Sequence, residues 1–377
     1  MRRVKLDRRP GHISLIFTQP LAASITYLFI MANEFDNITI APDPDTYIME
    51  SSAYDPDDWR SETTSIGSSL YKGIMENGRR YQTLRESEYF SPSDEKQFDT
   101  YQVGHLACLL MDSDEPNILF QSPIPSPKNV LDIGTGQGSW ALDMADMYPD
   151  AIVRGVDLFP PPTSWVPPNC ILEVDDVLHQ WTWQEKFDFI HLRHGIGAFT
   201  PDEWSRLYDQ CYENLEPGGW FEQIEMNICC ECDDGSVPAD NVLFSWGPRF
   251  YAAGAKAGKP LDVTRTMRAS IEKAGFVDIH EKNAKWPIGA WPKMKSLKEA
   301  GFVNMQHWLT GMEGYSMYLL TKYGDPVPWS KEEVQVYVAQ MRKAVKNPRF
   351  HAYQYAKRVW ARKPFPEELA KSKICLY

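Results

Sequence analysis

The 377-residue chain has few cysteines and an excess of acidic over basic residues. Its seven cysteines are scattered, and the single cluster, Cys229, Cys230 and Cys232, lacks a second Cys or His pair at zinc spacing. We therefore expect reduced thiols and no bound metal. The chain has 39 Lys and Arg against 51 Asp and Glu, a formal net charge of -12. Since phosphate contacts need basic side chains, direct nucleic-acid binding is not expected.

Charged residues are missing from residues 10–33, which follow five basic residues near the N-terminus. Such an order is typical of a signal sequence or signal anchor, although Gln19 and Pro20 interrupt the apolar run. Residues 1–32 are therefore an uncertain apolar leader. It is an irrelevant or misassigned leader, a membrane tether formed by residues 12–32, or a cleaved signal.

Residues 33–67 have little apolar character and many Asp, Pro, Ser and Thr residues. Because such a segment cannot bury enough apolar surface to fold alone, we predict a disordered acidic arm. Order is expected from about residue 68 to the end of the chain.

The chain is organised around residues 129–140, which read as a buried strand, a glycine turn and the start of a helix. Gly134, Gly136 and Gly138 let the backbone turn tightly and come close to a ligand. A tight turn that binds nothing is the alternative. The helix is expected over residues 139–147, with its free N–H groups at the turn.

Acidic residues follow two further predicted strands. Asp157 ends the strand at residues 151–156, and Asp175 and Asp176 follow the strand at residues 170–174. A carboxylate at the end of the second strand of a nucleotide-binding sheet can accept hydrogen bonds from both ribose hydroxyls. An aspartate at such a position can also be a simple polar end to the strand.

The glycine spacing differs from the dinucleotide pattern G-x-G-x-x-G, because the third glycine comes one residue early and Asp132 precedes the turn. This order resembles motif I of the class I S-adenosylmethionine-dependent methyltransferases. The resemblance implies that Asp132 and the three glycines bind the cofactor S-adenosyl-L-methionine. It further implies that Asp157 holds the ribose and that Asp175 or Asp176 bonds the adenine amino group. Residues 215–220, L-x-P-G-G-W, are also typical of this class.

A narrower resemblance lies in residues 76–81 and 92–95, which look like the LaeA-type family of fungal methyltransferases. In that family the segment packs over the cofactor mouth. The resemblance implies that Arg79, Arg80 and Tyr81 touch the cofactor or substrate. The alternative is a surface helix whose arginines pair with Glu76 and Glu86.

Polar residues lie at the outgoing ends of the fourth predicted strand, residues 187–193, and of the fifth. His191 and His194 are candidate catalytic residues and Arg193 a candidate cofactor ligand, because ligands bind at the carboxyl ends of strands in open α/β sheets. Each histidine could equally be a hydrogen-bonded structural residue. Glu222 is a third catalytic candidate, whereas Glu225 is expected to be exposed.

The resemblance implies an α/β fold in which residues 68–377 form a class I methyltransferase domain. We expect a Rossmann-like, mostly parallel sheet of seven strands with helices on both faces. We also expect a C-terminal helical insertion at about residues 286–346, serving as a substrate lid or as simple core packing. Residues 351–360 are expected to be the last strand, antiparallel at the sheet edge.

Three functions remain open from the sequence. The first is a LaeA-like regulator in a nuclear, velvet-type protein complex. The second is an enzyme that methylates a small secondary metabolite or a protein, in the nucleus or the cytoplasm. The third, a nicotinamide-dependent oxidoreductase, is disfavoured by the glycine spacing and by the lack of a Tyr-x-x-x-Lys pair near the fourth and fifth strands.

Overall fold

The computed structural model describes residues 6–9, 12–15, 73–85, 89–163 and 165–374. It divides the chain into two compact units, Met1–Ser65 and Ile66–Tyr377. In the described residues of the first unit, β1 (Leu6–Arg9) pairs with β2 (His12–Leu15) as an antiparallel hairpin.

The predicted acidic arm lies outside the described residues, as does the predicted leader apart from β1 and β2. None of the helices in the described ranges is long and apolar enough to cross a membrane.

The second unit is built on a seven-stranded sheet in the order β10-β11-β9-β8-β5-β6-β7. Five neighbouring strands are parallel. They are β5 (Asn129–Ile133), β6 (Ile152–Asp157), β7 (Cys170–Val174), β8 (Phe187–Arg193) and β9 (Leu215–Met226). The predicted α/β fold with a mostly parallel sheet is confirmed.

The last two strands correct one expectation. β11 (Tyr353–Arg362) was expected at the edge, but it lies between β9 and β10 (Val277–Pro287) and runs antiparallel to both. Residues along β10 alternate between exposed and partly buried, as suits a strand with one neighbour. Most of β11 is buried, because it bonds on both sides.

Helices cover both faces of the sheet. Phe189 on β8 packs against Trp140, whereas the next residue, Ile190, belongs to the core cluster that contains Leu207. Since successive residues of a strand point to opposite faces, the helices that carry Trp140 and Leu207 lie on opposite sides. The helices are α1 (Glu95–Met111), α2 (Ser139–Met147), α3 (Pro201–Asn214), α4 (Trp246–Lys256), α5 (Val263–Lys273), α6 (Lys295–Tyr323), α7 (Lys331–Val345) and α8 (Pro366–Ile374).

Two helices, α6 and α7, form the connection between β10 and β11. Met312 and Trp308 of α6 join a core cluster with Val338 of α7 and Trp246 of α4. The insertion therefore has its own apolar core, and α6 also packs along α1.

The segment before α1 is a hairpin and not the surface helix considered as an alternative. It consists of β3 (Ile74–Glu76) and β4 (Arg79–Tyr81). Arg79 forms a two-contact ion pair with Asp94, at 2.7 and 2.8 Å, and so ties the hairpin to the N-cap of α1.

Candidate functional site

A cavity of about 270 Å³ lies where the parallel strands end. Its floor includes Gly134 after β5, Asp157 at the end of β6 and Arg193 at the end of β8. Residues of α1, α4 and α6 also line it, so the cavity joins the sheet to the helical insertion. Crevices at the carboxyl ends of strands are where α/β sheets bind ligands.

The glycine turn leaves space that a side chain would fill. Gly134, Gly136 and Gly138 all have positive φ angles, of 68, 61 and 89°. A Cβ on Gly134 would meet no atom within 4 Å, whereas a Cβ on Gly138 would lie 3.1 Å from Leu172. Gly134 and Gly136 line the cavity, and Gly138 does not. A Cβ on Gly136 would lie 3.3 Å from the Tyr101 ring. Gly134 therefore makes room for a ligand, whereas Gly136 and Gly138 allow close packing against α1 and where α2 begins.

Asp157 is held against the same turn. Its Oδ2 accepts a hydrogen bond from the Gly136 amide at 2.8 Å, and the carboxyl group lines the cavity. Burial raises the pKa of Asp157 to about 6, although the backbone donors favour the charged form. A carboxylate so fixed can accept hydrogen bonds from a ribose, so Gly134 and Asp157 fit the nucleoside part of S-adenosylmethionine.

The two acidic residues after β7 have different surroundings. Asp175 lines the cavity, as an adenine contact requires. Asp176 lies outside it and forms a buried, two-contact ion pair with Arg85, at 2.7 and 2.9 Å. Arg85 itself lines the cavity and also donates to the carbonyl of Ala198. Asp176 therefore holds the Arg85 side chain in place at the cavity.

Asp132 and His191, expected to be a cofactor ligand and a catalytic residue, are not among the residues that line the cavity. The Nδ1 of His191 lies 2.8 Å from Oδ1 of Asp132, and the imidazole stacks on the Trp140 ring at 3.9 Å. Both side chains are nearly fully buried, and burial lowers the pKa of His191. Asp132 also accepts a hydrogen bond from the hydroxyl of Thr135 at 2.7 Å. The pair braces the sheet beneath the turn.

Glu222 is also placed away from the cavity. Its carboxylate accepts hydrogen bonds from the amides of Gln121 and Ser122 and the hydroxyl of Ser122, at 2.8 to 3.1 Å, and pairs with Arg358 at 3.1 Å. Glu222 is fully buried, does not line the cavity, and its carboxylate is taken up by these structural partners rather than by a ligand.

Glu225, expected to be exposed, is fully buried. It accepts hydrogen bonds from the amides of Gly195 and Ile196, at 3.0 and 3.2 Å, and thereby holds the loop after β8. Burial raises the pKa of Glu225 to about 7.

Arg193 and His194 both line the cavity. His194 has a positive φ of 58°, and its Nε2 lies 3.7 Å from the sulfur of Cys108. Burial, and next the charge of Arg193, lower the pKa of His194 well below its ordinary value, so the imidazole is neutral. Of the three histidine and glutamate catalytic candidates, only His194 is in position to contact a ligand.

The hairpin residues implied by the resemblance lie behind the cavity. Tyr81 is buried against Tyr318, Arg79 pairs with Asp94, and Arg80 lies 5.0 Å from the Phe159 ring. None of Arg79, Arg80 and Tyr81 lines the cavity. The residues that follow them do, among them Gln82, Tyr89 and Ser91.

Sequence analysis did not single out two residues that line the cavity, His307 and Trp246. On α6, Nε2 of His307 lies 3.0 Å from the hydroxyl oxygen of Tyr315. Both residues line the cavity, together with Trp308 of α6 and Trp246 of α4. Burial and the charge of Arg193 lower the pKa of His307 to about 4. The available signal was the helical spacing of aromatic residues in the insertion. That spacing predicted an apolar face on its helices, but not which of its residues would line the cavity.

Comparison with known proteins identifies the family. A family model described as a methyltransferase domain matches residues 105–281. Methyltransferase pytC of Aspergillus terreus is 34% identical over 319 residues, which is 84% of this chain and 95% of the relative. Secondary metabolism regulator LAE1 of Cochliobolus heterostrophus is 33% identical over 77% of this chain and 94% of its own length.

A third relative is the protein-methionine methyltransferase laeA of Emericella nidulans, 32% identical over 77% of this chain and 76% of its own length. The chain therefore belongs to the LaeA-type family of fungal methyltransferases, whose members act in secondary metabolism, and it is an S-adenosylmethionine-dependent methyltransferase.

Proposed function

We propose that the protein methylates a small, flat and mostly apolar metabolite. The observation that carries this proposal is the aromatic wall opposite the glycine turn. Trp246 stacks on Phe250 at 4.1 Å and lies 5.2 Å from Trp308, and all three line the cavity. Trp286 of β10 adds a fourth ring. Buried rings favour planar, apolar ligands over extended polar chains.

This wall is divided between the shared domain and the part of the chain that follows it. Trp246 and Phe250 lie within residues 105–281, which the family model matches, whereas Trp286 and Trp308 lie after them. The cofactor side of the cavity is thus built from the matched domain, and two of the four rings come from the end of β10 and from α6. A pocket that is completed by residues outside the matched domain suits an enzyme with its own metabolite.

The nucleophile would meet neutral imidazoles. S-adenosylmethionine supplies an electrophilic methyl group, so the protein needs to align the acceptor, exclude water and receive a proton. His194 and His307 are neutral because burial and Arg193 lower their pKa values. A neutral ring nitrogen can accept a hydrogen bond from an acceptor hydroxyl or amine. An O–H or N–H acceptor therefore fits this end of the cavity.

A labelling experiment tests this proposal. Purified protein and methyl-labelled S-adenosylmethionine are added to an extract of cells that lack the gene, so that the unmethylated acceptor is present. We expect the label in the low-mass, organic-soluble fraction, and no label with the Asp157→Ala variant. Label recovered only on protein would contradict the metabolite proposal.

The second candidate is a regulatory role in a protein complex, in the nucleus or the cytoplasm. It is favoured by the similarity to proteins named secondary metabolism regulators and, for one, protein-methionine methyltransferase. The partner would be a velvet-type regulatory protein, as the family resemblance implies. Affinity purification of the tagged full chain from cells, followed by mass spectrometry, would recover a stoichiometric partner under this candidate and none under the metabolite proposal.

A further inference from the structure

We infer that His105 and Asp143 position Arg193 to bind the terminal carboxylate of S-adenosylmethionine. The inference concerns cofactor binding alone, so it holds whatever the acceptor is.

Arg193, His105 and Asp143 come from three different elements. Arg193 ends β8, His105 lies on α1, and Asp143 lies on α2. Nη2 of Arg193 lies 3.0 Å from Nδ1 of His105, and Nε2 of the same imidazole lies 2.8 Å from Oδ2 of Asp143. One imidazole therefore links the guanidinium to a carboxylate.

The chemistry of the partners fixes the protonation of His105. A guanidinium can only donate, so Nδ1 of His105 must accept and carries no proton. Nε2 then carries the proton and donates it to Asp143. Because Asp143 holds this tautomer and the ring orientation, the imidazole presents its lone pair to Arg193 in one direction.

The charge of Arg193 is not neutralised by any side chain in direct contact. Within the described ranges, no carboxylate forms an ion pair with Arg193, and its hydrogen bond goes to a neutral nitrogen. The same charge contributes to the lowered pKa values of His194 and His307. The cavity therefore holds a positive charge that a bound anion would neutralise, and a guanidinium matches a carboxylate in shape as well as charge.

The position of Arg193 suits one end of the cofactor. The strand order β8-β5-β6 puts Arg193 and Asp157 on either side of β5, two interstrand spacings or about 10 Å apart. S-adenosylmethionine carries its ribose on one side of the sulfonium and its carboxylate on the other. With the ribose at Asp157, the carboxylate reaches toward Arg193 across the open space at Gly134.

The test compares two ligands that differ only in the amino-acid part. S-adenosylhomocysteine has the carboxylate, and 5′-methylthioadenosine lacks it. In calorimetry on the full chain, we expect Arg193→Met to lower the affinity for S-adenosylhomocysteine by at least about tenfold. The affinity for 5′-methylthioadenosine should fall by less than about twofold. Equal losses for both ligands, or no loss for either, would overturn the inference. The second result would be expected if Arg193 binds an anionic acceptor instead.

The positioning pair has its own variants. We expect His105→Phe and Asp143→Ala to weaken S-adenosylhomocysteine about fivefold without affecting 5′-methylthioadenosine. His105→Asn, whose amide oxygen can replace Nδ1, should recover part of the affinity. Asp146→Ala is the matched control, since Asp146 is an exposed aspartate on the same helix. A loss with Asp146→Ala equal to that with Asp143→Ala, or no recovery with His105→Asn in a protein folded by circular dichroism, would overturn the positioning role.

Discussion

Two opposing effects act on the protonation of Asp157. Burial raises the pKa of its carboxyl group to about 6, and the Gly136 amide favours the ionised form. A ribose hydroxyl donates more strongly to the carboxylate than to the protonated acid. Protonation therefore competes with binding. We expect the affinity for S-adenosylhomocysteine to be constant above about pH 7 and to fall as the pH drops through 6, as measured by calorimetry.

The Asp157→Asn variant is the control for this pH dependence. It keeps the size of the side chain but has no carboxyl group to titrate. We expect affinity about tenfold weaker at high pH and no further loss between pH 7 and 5. A variant that keeps the wild-type slope would assign the titration to another group.

Glu222 gives a prediction about stability. Replacing Glu222 by Gln leaves Arg358 short of one charge partner inside the protein, so we expect the free energy of unfolding to fall by about 3 kcal/mol. Methyl transfer in the extract assay, measured well below the melting temperature, should change less than about threefold. Glu216→Gln is the control, because Glu216 is an exposed residue of the same strand. A large loss of activity in a stable Glu222 variant would restore its catalytic role.

These residues also mark how far sequence reasoning reaches. Asp157 and Arg193 were found because strand ends meet at one edge of a sheet. His191 lies only two residues before Arg193, yet it is buried beneath Trp140. A short sequence pattern does not show which residue of a strand is covered by a helix and which one reaches the cavity. His307 was missed because it reaches the cavity from a helix more than a hundred residues away in the sequence.

The glycine turn can be tested with two glycines that share the same backbone strain. Gly134 has φ 68° and Gly235 has φ 70°, and a Cβ on either would meet no atom within 4 Å. Leucine at either position costs about 1–2 kcal/mol because of the left-handed backbone. We expect Gly134→Leu to abolish binding of S-adenosylhomocysteine in calorimetry, because its side chain enters the cavity. Gly235→Leu, on a surface loop, should bind normally; equal loss in both variants would mean that strain alone is responsible.

Helix α6 can be tested with two tryptophans of the insertion. Trp308 lines the cavity, whereas Trp329 packs against Arg249 outside it. Each change to alanine removes a large ring, at a cost of up to about 3–5 kcal/mol where the ring is buried. We expect Trp308→Ala alone to lower methyl transfer by at least about tenfold, with S-adenosylhomocysteine affinity unchanged. If folded Trp308→Ala and Trp329→Ala variants had similar activity, the insertion would serve only as core packing.

The strands of the parallel sheet were largely predictable, and the position of the last strand was not. β7, β8 and α2 have the predicted bounds, because each depends on a local apolar run or a glycine turn. α3 likewise begins at a local pattern, the capping box of Thr200 and Glu203. The place of β11 between β9 and β10 depends on pairing across more than a hundred residues, which no local pattern specifies.

The cavity as a whole joins a local part to a distant part of the chain. Its cofactor side comes from consecutive βα units between residues 129 and 226, whereas its aromatic side needs α4 and α6. The sequence therefore indicated the cofactor and the reaction class, but neither the shape nor the chemistry of the acceptor pocket. The matched domain, residues 105–281, therefore contains the cofactor side of the cavity but not all of the acceptor side.

We infer that the turn at Gly134 and the carboxylate of Asp157 form a site for a nucleoside sulfonium and not for a dinucleotide. Calorimetric titrations of the full chain with S-adenosylhomocysteine and with NAD, carried out side by side, test this site. We expect one-to-one binding of S-adenosylhomocysteine and no heat from NAD. Binding of NAD, or no binding of S-adenosylhomocysteine by a folded protein, would contradict it.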